Sequence, residues 1–377
     1  MNFDTLLRAM IGKGASDLHI KVGSFPLVRI NGELCPLGEY GKISKEDSAM
    51  MAFSIMNNRQ KQKFRDNAEC DLGYGLKGLG RFRVNVFQQR GSVSVAVRAV
   101  PFNILGFEDL LLPKVLEDIS KEPRGMVLVT GTTGSGKSTT IAVMLNYINE
   151  HMSRHIITIE DPIEFLHVDR LSIVSQREIS VDAMSFSAAL RSALRQDPDV
   201  ILVGEMRDLE TIETALLAAE TGHMVFSTLH TLDALETIHR IIAVFPPEQQ
   251  KQIRLQLAQV LRAVISMRLI KRSDKPGRLP AIEVMVVTEY IKNCILDPEK
   301  TRLIRQAIAA GTSQYGMQTF DQSIYEHYKA GRITFEDALS YASNPDEFKL
   351  RVQGIYSTKD AAMEEMEKDL ATTQHPR

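Results

Sequence analysis

The sequence predicts an α/β protein in two parts: a small α+β domain, then a P-loop domain built on a mainly parallel sheet. Three observations carry this. From Asp109 onward, strand and helix signals alternate, which calls for a parallel sheet with helices on both faces. The run Gly131-Thr132-Thr133-Gly134-Ser135-Gly136-Lys137-Ser138 fits G-x-x-x-x-G-K-[ST]. Before residue 100, by contrast, the strand-like stretches alternate polar and apolar, as half-solvated antiparallel strands do.

Composition sets the outer bounds. A chain of 377 residues suggests two or three domains, and 44% hydrophobic with 24% charged residues is ordinary for a globular protein. Lys+Arg is 45 against Asp+Glu 47, a net charge of −2 that argues against bulk nucleic-acid binding. No apolar run has the length of a membrane span, and the N-terminus lacks a secretory core, so the expected location is the cytoplasm. Cys35, Cys70 and Cys294 are far apart and form no CxxC, which disfavours a disulfide framework or a zinc site.

Taken in order, Asp4 to Met10 reads as a short amphipathic helix. Ser16 to Val22 alternates like a strand, and Pro26 to Ile30 reads as its hairpin partner across Gly23-Ser24. Asn31-Gly32 is a turn signal. Helical patches follow near 45–56 and 58–66. Two strong strands come next, with Phe82, Val84 and Val86 apolar on one and Val93, Val95 and Val97 on the other, joined at Gln89-Arg90-Gly91. Period-two geometry puts Arg81 and Arg83 on the polar face of the first and Arg98 on that of the second. Those arginines are either solvated or a positive wall that meets phosphate. Residues 101–108 carry Pro and Gly with little periodicity and read as the linker between a 1–100 domain and a 109–347 domain.

In the second part, Met126 to Thr130 is a short β-branched strand ahead of the glycine loop, and Ile141, Met144, Leu145 and Ile148 follow it at helical spacing. Glycines let the backbone wrap an anion, so that its N–H groups and the helix N-terminus cradle phosphate. Lys137 is expected to reach the β- and γ-phosphates, and the Ser138 hydroxyl to ligate Mg²⁺. The next strand, His155 to Ile159, runs into Glu160-Asp161-Pro162-Ile163-Glu164. Acidic groups at a strand's carboxyl end are well placed to hold Mg²⁺ or a water, although Asp-Pro also suits a plain turn. Phe186 to Gln196 reads as a helix, and Val200 to Val203 as a buried strand with Gly204-Glu205 at its tip. That is a Walker B pattern in which Gly204 takes the usual aspartate position and Glu205 supplies the carboxylate that would polarise an attacking water.

Leu209 to Glu220 reads as a helix, and His223 to Thr228 as the next strand, with His223 at its start and His230 just past its end. A lone histidine is usually structural; two that bracket a strand beside a P-loop are candidates for function. Asp233 to Ala243 and Pro247 to Ser266 read as helices, the latter with an apolar stripe of Ile253, Leu257, Val260, Leu261 and Val264. Thr288 to Tyr341 reads as short helices broken at Gly331-Arg332. Residues 348–377 read as a polar tail, with Met363 to Asp369 as an acidic helix or docking element.

Four blocks in order now resemble one family. They are the P-loop (131–138), Ile159 to Glu164, Asp199-Val200-Ile201-Leu202-Val203-Gly204-Glu205-Met206-Arg207-Asp208, and Thr221-Gly222-His223 through Leu229-His230-Thr231. The set resembles the secretion ATPases of type II secretion and type IV pili, where the blocks are Walker A, Asp box, Walker B and His box. Ala15-Ser16-Asp17-Leu18-His19-Ile20 matches as well. Within the family the chain looks like the pilus retraction branch, the PilT/PilU-type ATPases. Tyr290 to Asp297 departs from the PilT-type helix Ala-Ile-Arg-Asn-Leu-Ile-Arg-Glu and there is an extra tail, so the resemblance is to the accessory, PilU-type member.

The resemblance implies a PAS-like N-terminal domain and a RecA-like ATPase domain with a helical C-terminal part. It implies ATP and Mg²⁺ held by Gly131, Thr132, Thr133, Gly134, Ser135, Gly136, Lys137, Ser138 and Thr139. Glu205 is then the catalytic carboxylate, Glu160 and Glu164 support metal and water, and His223 and His230 couple nucleotide state to the sheet. Arg83 and Arg98 match N-terminal arginines that approach nucleotide. The implied partners are itself as a homohexamer, a PilT-type sibling ATPase and an inner-membrane pilus platform protein, with no nucleic acid. The protein would sit peripherally at that membrane, and 101–108 would be the hinge.

Overall fold

The computed structural model describes residues 2–30, 32–100 and 104–354. The turn expected at Asn31, the start of the linker at 101–108 and the acidic segment Met363 to Asp369 fall outside the described residues. The chain divides into two compact units: Met1–Asn103 with Asp161–Val168 and Arg177–Met184, and Ile104–Glu160 with Asp169–Gln176 and Ser185–Arg377.

In the first unit, α1 (Phe3–Gly12) buries Phe3, Leu6, Leu7 and Met10, the spacing of one helix face. The strands β1 (Asp17–Ile20), β2 (Leu27–Ile30) and β3 (Glu33–Pro36) follow, then α2 (Lys45–Ile55) and α3 (Asn58–Asn67). Both helices begin with a capping box, Ser44 with Asp47 and Asn57 with Gln60, in which side chain and backbone exchange hydrogen bonds across the first turn. The long strands β4 (Glu69–Leu76), β5 (Gly80–Gln89) and β6 (Ser92–Ala99) complete a six-stranded sheet in the order β3-β2-β1-β6-β5-β4. Its neighbouring strands all pair antiparallel. Phe82, Val84, Val86, Val95 and Val97 are buried in one core with α1, as their alternation requires. Arg83 lies directly across from Arg98. The strands β3 and β4 were not read from the sequence: Glu33-Leu34-Cys35-Pro36 and the glycine-rich Glu69 to Leu76 lack clean apolar alternation.

The second unit starts with α4 (Val115–Ser120), β7 (Gly125–Thr130), α5 (Lys137–His151), β8 (His155–Glu160) and β9 (Ile173–Glu178), of which Arg177 and Glu178 count with the first unit. It continues through α6 (Phe186–Ala193), β10 (Val200–Val203), α7 (Leu209–Glu220), β11 (Met224–Leu229), α8 (Ala234–Ala243) and α9 (Pro247–Val260). Then come β12 (Leu261–Lys271), β13 (Arg278–Val286), α10 (Glu289–Leu296), α11 (Ile304–Ala310), α12 (Thr312–Tyr315), α13 (Phe320–Lys329), α14 (Phe335–Tyr341) and α15 (Pro345–Val352). The sheet order is β13-β12-β7-β11-β10-β8-β9. From β12 to β8 the strands run parallel, and β13 pairs antiparallel with β12. Every residue of β7, β10 and β11 is buried, as expected of parallel strands covered on both faces.

One expectation is corrected. The helix read from Pro247 to Ser266 stops at Val260, and the chain continues from Leu261 as an eleven-residue strand. The run Leu261 to Met267 is apolar enough to suit either a buried helix or a buried strand. The open ladder groups of β7 decide, because β12 satisfies them along Leu261–Ser266. At the far end, Phe348 is buried in α15 together with Phe320 and Ile324 rather than exposed.

Candidate active site

Strand order places four tips side by side at the carboxyl edge of the second unit. The ends of β7, β11, β10 and β8 lie in that sequence, and neighbouring strands are about 4.8 Å apart. The pairing of Leu229 with Thr130 sets the ends of β11 and β7 level, and that of Val203 with both Ser227 and Ile159 sets the ends of β10 and β8 level with each other, two residues short of them.

The loop after β7 is shaped for an anion. Gly131, Gly134 and Gly136 have φ of 139°, 77° and 101°, and a Cβ on Gly131 would fall 2.5 Å from the Met267 carbonyl oxygen. Glycine alone fits there. Gly136 is the N-cap of α5 and leaves the helix N-terminus without a side-chain cap. Lys137 Nζ donates to the carbonyls of Gly131 and Thr132 at 2.8 and 3.0 Å, folded over the loop it serves. This cradle fits a nucleotide phosphate, and the neighbouring Ser138 hydroxyl fits an accompanying Mg²⁺. Beside the loop, a cavity of about 310 Å³ is lined by Leu111, Gly136, Thr139, Leu269, Arg278 and Pro280, among others.

At the tip of β8, Glu160 Oε1 accepts hydrogen bonds from Thr158 Oγ1 at 2.6 Å and Gln176 Nε2 at 3.2 Å. At the tip of β10, a Cβ on Gly204 would come within 3.0 Å of the Ile159 carbonyl oxygen. A side chain at the usual aspartate position would have to push that carbonyl back by a few tenths of an ångström, and the carboxylate stands one residue on, at Glu205. Arg207 Nε lies 2.6 Å from Glu205 Oε1, and His230 Nε2 lies 3.3 Å from the same oxygen. Burial pushes the Glu205 carboxyl up, but the bond and charge of Arg207, with His230, outweigh it and hold the group below the ordinary glutamate range. A cavity of about 540 Å³ opens here, lined by Glu205, Arg207, Ile212, His230, Glu236 and Arg240, among others.

The second unit thus brings Lys137, Ser138, Glu160, Glu205 and His230 to one edge. His223 is not brought there. It precedes the opposite end of β11, about 20 Å away at the rise of a strand, and its Nδ1 bonds the Ala218 carbonyl at 2.8 Å near the end of α7. Arg83, Arg98 and Glu164 belong to the first unit. In that unit Arg98 Nε pairs with Asp17 at 2.8 Å and Arg81 with Glu178 at 2.6 Å, whereas no acidic partner faces Arg83 among the described residues. Sequence reasoning missed Arg207, Gln176 and the β11 hydroxyls. A Ser-Thr pair inside an otherwise apolar strand was the visible signal. No group of three or more His, Cys, Asp or Glu residues could hold a metal ion among the described residues.

A family model described as Type II/IV secretion system protein matches residues 81–373. The chain belongs to that family. Its relatives there include the PilT pilus ATPase of Pseudomonas aeruginosa, 44% identical over 92% of this chain and 100% of that protein. The PilU pilus ATPase of the same organism is 39% identical over 96% of this chain and 94% of that one. Among solved structures, the pilus retraction motor PilT with bound ADP superposes with a TM-score of 0.84 at 46% identity, covering 92% of this chain and 98% of that one. The DotB ATPase of Legionella pneumophila gives 0.77 at 27% identity, covering 94% and 95%. As a member of this family the chain is an ATPase with the mixed α/β fold its sequence predicted.

Proposed function

We propose that this secretion ATPase is a motor of type IV pilus retraction, in which ATP hydrolysis supports withdrawal of pilin and hence twitching motility. The observation that carries the reading is the glycine cradle at the tip of β7, with the Glu205 carboxylate just past the tip of β10. Similarity to PilT and PilU over more than nine-tenths of the chain supplies the biological setting. ATP provides the phosphoanhydride that is cleaved, and Mg²⁺ neutralises its phosphate charge. Lys137 leaves the Gly131 and Thr132 carbonyls to meet phosphate. Ser138 would hold the metal, with Thr139 beside it. Glu205 orients the attacking water, and Glu160, fixed by Thr158 and Gln176, supports metal and water with Glu164. Arg83 and Arg98 supply positive charge, residues 101–108 serve as the linker, and His230, with His223 at the other end of β11, links the nucleotide state to the sheet.

In this reading the working form is a homohexamer on the cytoplasmic side of the inner membrane, acting on a platform protein beside a PilT-type sibling. The departure at Tyr290 to Asp297 and the extra tail support an accessory, PilU-type role. No helix among the described residues is long and apolar enough to cross a membrane. A second reading is a nucleotide-gated docking subunit with little hydrolysis of its own. The Arg207–Glu205 ion pair favours it, because it occupies the carboxylate that must meet water. Phosphate release by the purified protein, alone and with a PilT-type sibling, separates the two. Turnover alone that disappears in Lys137→Ala supports the motor; turnover only in the mixture supports the docking subunit; turnover that survives Lys137→Ala removes the P-loop assignment.

A further inference from the structure

We infer that Thr228 is a positioning residue for Glu205, holding both peptide groups that flank it. The inference rests on the reading of Glu205 as the catalytic carboxylate. The parallel ladder between β10 and β11 ends at Val203 opposite Ser227. Beyond it, the chain at Gly204 has no side chain to pack and must be held some other way. On the β8 side, Gly204 N–H donates to the Ile159 carbonyl at 2.8 Å. On the β11 side, one residue does the rest. Thr228 Oγ1 donates to the Gly204 carbonyl at 2.7 Å, and the Thr228 carbonyl accepts from Met206 N–H at 3.3 Å. The first bond fixes the peptide before Glu205 and the second the peptide after it. Ser227 Oγ prepares the arrangement by donating to the Val203 carbonyl at 2.7 Å.

Burial makes the clasp effective. Thr228 is 7% exposed and Ser227 fully buried, so water competes little for these carbonyls. Two residues past Thr228, His230 faces the Glu205 carboxylate itself. The same short segment therefore sets the backbone of Glu205 through Thr228 and touches its side chain through His230. A shift of the β11 end would carry the carboxylate and the imidazole together. The clasp joins β11 to the segment after β10 and makes no bond to the glycine loop after β7, so its loss should leave nucleotide affinity alone and misplace the carboxylate.

The test compares Thr228→Val, which removes the hydroxyl at nearly the same shape, with Thr228→Ser, which keeps it. Turnover, KM for ATP, ADP affinity and melting temperature are measured for each, with Glu205→Gln alone and combined with Thr228→Val. The expected result is a fall in kcat on the order of 10- to 100-fold in Thr228→Val, the loss typical of a catalytic group displaced by about an ångström. KM and ADP affinity stay unchanged, Thr228→Ser restores kcat, and Thr228→Val adds no loss to Glu205→Gln. Wild-type kcat in Thr228→Val overturns the inference. So does an equal loss in Thr228→Ser, a parallel loss of ADP affinity, or a full further loss in the Glu205→Gln background, since each marks a merely structural role. Wild-type turnover in Glu205→Gln would instead remove the reading of Glu205, whatever Thr228→Val does. Should Thr228→Val fail to fold, Thr228→Cys, a poorer hydrogen-bond donor, is read against the same outcomes.

Discussion

The two sheets of this chain carry their charges in different places. In the antiparallel sheet of the first unit, arginines sit mid-strand, with Arg83 and Arg98 opposite one another. In the parallel sheet of the second, β7, β10 and β11 are buried throughout and the chemistry is confined to the tips. The cause is solvation. Strands covered on both faces, as β7, β10 and β11 are, leave no wet surface for a guanidinium, so their charged groups stand where the strands end and backbone N–H groups come free. A half-solvated antiparallel sheet can show a charge at every second residue. The tips are therefore densely supported by hydrogen bonds, while the arginine face is held by single ion pairs with Asp17 and Glu178.

The sharpest way to break this comparison is at the tips. Lys137→Ala should abolish phosphate release, read by a coupled phosphate assay; persistent turnover would move the nucleotide site off β7. Next in size, Glu205→Gln should bind ATP normally and lose on the order of 10²- to 10⁴-fold in kcat, the usual weight of a positioned acid–base group. Single-turnover kinetics with a fluorescent nucleotide tests it. In the wild type, Arg207 and His230 keep the Glu205 carboxyl below the ordinary glutamate range, so it stays ionised to lower pH. The acid limb of kcat should consequently move up in Arg207→Ala, and an unmoved limb would show that Arg207 does not tune the carboxylate.

On the arginine face the effects should be smaller. Arg83→Ala, at a position with no acidic partner among the described residues, should lower kcat without moving the melting temperature. A stability change with normal kcat would instead mark Arg83 as part of a solvated surface. Arg98→Ala should cost no more than about 1 kcal/mol of stability, because its pair with Asp17 is 72% exposed on the arginine side.

Between these extremes lies Glu283 on β13, which accepts from Ala234 N–H at the start of α8. Burial raises its carboxyl from 4.5 to about 7. The folded chain then keeps a proton that the unfolded chain releases, so this contribution is full below pH 4.5 and is lost as the pH rises through about 7. Melting temperatures across that window should fall more steeply in the wild type than in Glu283→Gln, and parallel slopes would rule Glu283 out as the cause.

Much of this was legible in the residues alone. The glycine loop needs no tertiary partner to be recognised, because its spacing is dictated by the phosphate it wraps. Phe82, Val84 and Val86 declared the inner face of β5 by period two, and Arg83 therefore had to face outward. The helices read from Leu209 and Asp233 begin where expected, at Asp208 and Asp233, whose side chains accept a hydrogen bond from the first turn. Such features depend on neighbours in sequence, so the sequence reports them directly.

Other features required the fold. Leu261 to Met267 is apolar in a way that suits two structures, and only the open edge of β7 makes it a strand. His223 and His230 look equivalent as brackets of one strand, yet one faces Glu205 and the other a helix end, because a strand separates its two ends by its whole length. Gly204 looks like a missing aspartate, and only the fold shows how closely the Ile159 carbonyl approaches it. The pairing of Arg207 with Glu205 and the clasp of Thr228 around it join residues through space. Composition and period decided which faces are buried; strand order decided which tips meet, since that depends on contacts between segments far apart in the chain.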